Sequence, residues 1–110
     1  MQYIEWDDFQ RVELRVGTVL SAEPNAKALK PAYVLRVDLG ELGIKTSSAQ
    51  VTAHYACDEL IGRQVLCVCN SPPRIAGVRS EILVTGVHDA DDKVVLAGFD
   101  KTLPNGARLA

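Results

Sequence analysis

Ile44 to Ile61, IKTSSAQ-VTAHYACDELI, joins two segments of opposite character. Ile44 to Gln50 reads as an extended segment, almost entirely small and polar and therefore poor material for a core. Val51 to Ile61 reads as the one longer helical segment, broken near Cys57-Asp58. Val51, Tyr55 and Ala56 would face inward, Leu60 and Ile61 would close its end, and Gly62 would stop it.

Short strands are expected on both sides of this unit. Leu14 to Ala22 and Ala32 to Leu39 alternate apolar and polar residues before it. Gln64 to Cys69, Ser80 to Val87 and Val94 to Ala97 are short apolar runs after it. Gly17 inside the first strand is expected to mark a bulge or sharp bend. Gly40-Glu41-Leu42-Gly43 reads as a hairpin-type turn, and His88 to Lys93 as an acidic hairpin loop. Ile4 to Val12 would add one or two turns of helix, with Asp7 or Asp8 at its start. Pro104-Asn105-Gly106 would fold the C-terminus back. Strands at this spacing fit several small barrels, including an SH3-like one. The helix after the third strand favours an all-β Greek-key barrel of the OB type, one domain over residues 1–110 with short extensions at both ends.

Composition sets the bounds. The 110 residues are 47% apolar and only 5% aromatic, so the core must be aliphatic. A formal net charge of −2 exerts no global pull toward nucleic acid, and any RNA contact needs a local basic patch. No run approaches membrane-spanning length. The N-terminus MQYIEWDD lacks the apolar core of a signal peptide. With an odd count of three cysteines, this reads as reduced thiols in a cytoplasm.

Catalytic and metal chemistry find little support. His54 and Cys57 are spaced to share a helix face, but no nucleophile-elbow pattern accompanies them. Cys67 and Cys69 fall on one face of a strand without the further ligands that zinc needs, and read as small core hydrophobes. No glycine-rich phosphate loop is present. Asp89, Asp91 and Asp92 lack the Gly and distal Glu of a calcium loop. The chain therefore reads as a binding protein without metal, cofactor or enzymatic activity.

Two surfaces are candidates. The polar strand, with Lys45, Ser47, Ser48 and Gln50, and the loop NSPPRIAGVRS (Asn70 to Ser80), with Arg74, Arg79 and Ser80, would join Arg15 on one barrel face suited to RNA phosphate and sugar. Tyr33 is the one stacking platform nearby. Alternatively, Ile75 and Val78 in that loop would hold a polypeptide. Tyr3, Ile4, Trp6 and Phe9 lie outside the barrel and want a partner, most simply a second copy that buries both chain ends.

GIKTSSAQVTAHY (Gly43 to Tyr55), LIGRQVLCVCNSPPRIAGVRSEILVTG (Leu60 to Gly86) and PNG (Pro104 to Gly106) closely resemble the CsaA family, small bacterial chaperones linked to protein export. Leu14 to Gly43 fits the same family. CsaA proteins look like stand-alone forms of the tRNA-binding OB domain appended to methionyl- and phenylalanyl-tRNA synthetases. The resemblance implies a homodimer built on Met1 to Val12 and Phe99 to Ala110, with Phe99 and Leu103 joining the N-terminal apolar residues. It implies unfolded or precursor polypeptides as ligands, with tRNA as the alternative. Arg74 is followed directly by Ile75 where family members commonly carry a second basic residue, which thins the positive patch. Ser80-Glu81-Ile82 also departs from the synthetase-type domains and favours the chaperone branch.

Overall fold

The strand that organises the barrel is β1, Leu14–Pro24. In the computed structural model, which describes residues 1–109, β1 pairs antiparallel with β2 (Tyr33–Asp38) over residues 18–24. It pairs with β4 (Gln64–Val68) over residues 14–18. β2 also pairs with β3 (Ile44–Ala49), across a 3-10 turn at Gly40–Leu42. One long strand can serve two partners because its register slips between Val19 and Ser21, which turns Leu20 outward and keeps Val19 fully buried. Such a bulge adds twist, as a closing barrel needs. It falls two residues after Gly17, where the sequence placed it. Gly17 serves packing instead: an added Cβ would lie 2.4 Å from Val37 Cγ1 and 2.9 Å from Leu39 Cδ2.

The remaining elements are short. They are α1 (Trp6–Gln10), α2 (Cys57–Leu60), β5 (Arg74–Ile75), β6 (Arg79–Ser80), β7 (Leu83–Val84), β8 (Gly86–His88) and β9 (Val94–Leu96). The main sheet runs β3-β2-β1-β4-β7, with β5-β6 and β8-β9 as separate hairpins. Glu81 N donates to Thr46 O at 2.8 Å and Thr46 N to Glu81 Oε1 at 3.1 Å, so the chain leading into β7 closes the barrel against β3. The fold is the expected all-β, OB-type barrel. Val19, Leu35, Val37, Leu39, Val65 and Cys67 fill it, and Leu60 of α2 and Ile82 complete the cluster. Burying each large aliphatic side chain contributes about 1.5–3 kcal/mol.

Three expectations need correction. The helix over residues 51–61 shrinks to Cys57–Leu60. Val51 is drawn into the core, and the Tyr55 carbonyl accepts Tyr33 Oη at 2.7 Å instead of a helical amide. The strand over residues 80–87 breaks into pieces because its pairing partner changes every two or three residues: β5, then Thr46, then β4, then β9. The helix over residues 4–12 contracts to α1, where Asp8 Oδ2 accepts Glu5 N at 3.2 Å.

α1 and residues 106–109 both lie near the start of β1. Residues 106–109 run beside it through Val16 N to Ala107 O and Leu109 N to Leu14 O, each 2.9 Å. Among the described residues, no helix is long and apolar enough to cross a membrane.

Cys67 and Cys69 behave as packing groups. Burial pushes the Cys67 thiol up to about 12, so it stays protonated at neutral pH. A thiol reagent at about pH 8 is expected to label Cys57 and Cys69, both half-buried, well before Cys67. Equal labelling rates at the three positions, read by mass spectrometry, would contradict this packing.

Candidate functional site

The hairpin of β5 and β6 separates two grooves. Residues 74–77 form one wall of the larger groove, of about 900 Å³. The connection between β1 and β2, with Lys27, Leu29 and Lys30, also lines it, as does Gln50. Arg79 and Pro73 line the smaller groove, of about 490 Å³, together with Arg15 and Lys45. The cations that the sequence placed on one face are therefore divided. Arg74 faces the first groove, while Arg15, Lys45 and Arg79 line the second.

The walls of the larger groove are fixed by a buried polar relay. Asn25, at the end of β1, is buried. Its Nδ2 donates to Ala76 O at 2.6 Å and to Ser48 Oγ at 3.1 Å, and its Oδ1 accepts Lys27 N at 3.2 Å. Ser48 N donates to Ser80 Oγ at 3.1 Å, and that hydroxyl donates to Ile82 O at 3.3 Å. One side chain thus ties the hairpin tip, the barrel wall and the lysine-bearing connection. Buried polar groups require such partners, because an unmade bond there costs about 1–3 kcal/mol. Gly77 completes the fit. With φ +76°, its missing Cβ leaves room for Lys27, whose own Cβ would lie 2.4 Å away.

This relay corrects part of the expected ligand face. Ser48 and Ser80 are buried and bonded internally, and Ser47 is enclosed with its hydroxyl unpartnered. Ser47 and Ser80 are thereby withdrawn from any ligand surface, while Ser48 lines the larger groove with its hydroxyl already engaged by Asn25. Val78 is half-buried and its carbonyl accepts Ala76 N at 2.9 Å inside the hairpin. Tyr33 packs against the core and spends its hydroxyl on Tyr55, so it is no free stacking platform. Ile75, by contrast, is 77% exposed in the groove lining, and Leu29, which lines the same groove, is fully exposed at 105%. Leu29, Lys27, Lys30 and Asn25 were not singled out from sequence. The available signal was an apolar residue between two lysines in a connection that forms no strand.

The β8–β9 hairpin supplies His88 and Val94 to the same groove. Its loop is built on Asp89. Hydrogen bonds from Lys93 N (2.9 Å) and from His54 (2.7 Å), with Asp91 N (3.0 Å), hold that carboxyl below the usual carboxylate range. His54 is thereby engaged with Asp89. Among the described residues no group of His, Cys, Asp and Glu is arranged to hold a metal.

The apolar residues expected at a dimer contact also divide. Trp6 and Phe9 meet edge-to-face at 5.9 Å and share a hollow with Val12, Leu14 and Leu109. Leu103 lies elsewhere, its backbone bonded in both directions to the Gln64 side chain at 2.9 and 2.7 Å.

A small antiparallel barrel with a cation-rimmed groove beside its first connection is a binding module. Residues 14–108 match the putative tRNA binding domain model, and the chain belongs to that family. It is 41% identical to a solved chaperone CsaA of Bacillus anthracis, with a TM-score of 0.92, covering 99% of this chain and 100% of that one. It is 36% identical to the CsaA chaperone protein of Picrophilus torridus, with a TM-score of 0.90, covering 98% and 100%. Among curated proteins it is 42% identical over 94 residues to the methionine–tRNA ligase of Chlorobium chlorochromatii, covering 84% of this chain but 13% of that enzyme.

Proposed function

We propose that the protein is a homodimeric, non-catalytic chaperone that holds unfolded or precursor polypeptides, and that the larger groove is its binding surface. The observation that carries this is the pair Leu29 and Ile75, both exposed and both lining one groove. Exposed apolar side chains at a rigid concavity mark a site for apolar ligand groups. Lys27, Lys30 and Arg74 around them suit acidic residues or backbone carbonyls of an extended chain. The similarity to CsaA chaperones spans both chains from end to end, which supports the same assignment. Two copies in one particle would link two grooves and raise avidity without new contacts.

Calorimetry with a permanently unfolded polypeptide tests it. Binding is expected to change little between about 50 and 200 mM salt, because apolar burial and not counterion release drives it. The double substitution Leu29→Asp with Ile75→Asp is expected to abolish the heat. Undiminished binding by the double variant would remove the groove from the proposal.

A second assignment, tRNA binding in the same groove, is favoured by the family and by the three cations around it. Three phosphate contacts would lower affinity roughly twentyfold or more over that salt range. A flat salt response with tRNA would exclude them.

A further inference from the structure

We infer that the protein carries a second ligand site, for a compact organic anion, in the smaller groove on the other side of the β5–β6 hairpin. Its volume of about 490 Å³ lies within the usual range for small-molecule pockets. The inference rests on neither assignment of the larger groove.

Charge is unevenly spent around this groove. Arg15 is committed: its Nε donates to Glu13 Oε2 at 3.1 Å and its Nη1 to Gly106 O at 2.8 Å. Glu13 is committed in turn, to Arg15 and to Arg108 at 3.6 Å. Glu81 also lines the groove; one oxygen accepts Thr46 N in the barrel closure, and its negative charge stands against three cations, Arg15, Lys45 and Arg79. Lys45 and Arg79 are different. Both line the groove, and among the described residues neither side chain makes a hydrogen bond or an ion pair.

Apolar Leu42, Ile82 and Pro73 share the lining with them. An unpaired ammonium and an unpaired guanidinium in a groove that also exposes apolar side chains complement an oxyanion carried on an apolar body. A nucleic-acid backbone would present successive phosphates along an open surface. Here the two cations border a single concavity, sized for one ring or a short chain. Carboxylates and phosphate monoesters share the required chemistry.

The test is an amide-shift titration of the full chain with benzoate, with phenyl phosphate, and with benzyl alcohol as the uncharged control. Both anions are expected to give saturable shifts at Leu42, Lys45, Arg79 and Ile82, with dissociation constants of about 1 mM. Tighter binding of phenyl phosphate would assign the natural ligand to the phosphate esters, and tighter binding of benzoate to the carboxylates. Lys45→Gln and Arg79→Gln are each expected to weaken binding about tenfold. Both positions lie outside the core, and retained dispersion of the spectrum shows that the variants fold. Linear, unsaturable shifts, equal shifts with benzyl alcohol, or unchanged affinity in both variants would each overturn the site. Calorimetry with unfolded polypeptide on the same variants reports the Leu29–Ile75 groove separately, so failure of one site is distinguishable from failure of the other.

Discussion

Gly77→Val is expected to cost the protein tenfold or more of its polypeptide affinity while leaving the barrel folded. Gly77 sits at φ +76°, in the left-handed region, and its would-be Cβ lies 2.4 Å from Lys27 Cβ and 3.0 Å from the Lys27 carbonyl carbon. A β-branched residue there carries about 1–3 kcal/mol of backbone strain before any clash is counted. The backbone of Lys27 cannot retreat cheaply, because its amide is bonded to Asn25, which is buried. The hairpin tip must therefore swing away, breaking the 2.6 Å bond from Asn25 to Ala76 O and displacing Ile75 within the groove lining. A shift of 1.4 kcal/mol toward an open groove already corresponds to a factor of about ten in affinity. The hairpin contributes none of the core cluster around Val19 and Leu35, so the barrel is expected to stay folded, with a thermal midpoint lowered by several degrees through the strain and the lost Asn25 bond. Calorimetry and thermal unfolding on one preparation separate the two effects. Wild-type affinity in Gly77→Val would show that groove geometry does not govern binding.

The same residues show what a sequence can and cannot disclose here. Alternation in β1, β2 and β4 was readable because period-two patterning is a local consequence of which side chains face the core. The polar composition of Ile44–Ala49 suits an extended segment, but it does not reveal that Ser47 turns inward or that Ser48 is bonded to Asn25. Burial of Ser48 depends on partners 23 and 32 residues away, Asn25 and Ser80, and pairing at that range leaves no local mark. The helix over residues 51–61 failed for a related reason. Its composition permits helix, but Tyr33 captures the Tyr55 carbonyl from another strand, and tertiary contact overrides weak local preference. The basic residues around residues 70–80 were recognised as one set. Their division between two grooves follows from the hairpin standing between Arg74 and Arg79, and side-chain direction in so short a hairpin is fixed only by its docking.

Replacing Trp6 and Phe9 together with Asp is expected to convert a dimer into a monomer in sedimentation equilibrium. α1 contains no buried residue, and five residues of helix cannot sustain themselves in water. What holds it to the barrel in one protomer is largely polar: Asn70 Nδ2 to Arg11 O at 2.6 Å, Glu13 N to Asn70 Oδ1 at 2.9 Å, and Arg108 Nη2 to Gln10 O at 2.5 Å. Meanwhile Tyr3 is 88% and Trp6 75% exposed, and Leu109 opens onto the same hollow as Trp6 and Phe9. A helix anchored by its backbone and offering its aromatic side chains outward is arranged to be covered by another surface. In a twofold pair each copy would present the same patch, so the hollow of one protomer could receive the aromatic side chains of the other. Four carboxylates introduced at the centre of such a contact repel one another and forfeit the buried aromatic area, several kcal/mol in all. Leu103→Asp is expected to have a smaller effect, because Leu103 is tied to Gln64 away from the Trp6–Leu109 hollow. A monomeric wild-type protein, or a double variant that stays dimeric, would disprove an interface at α1.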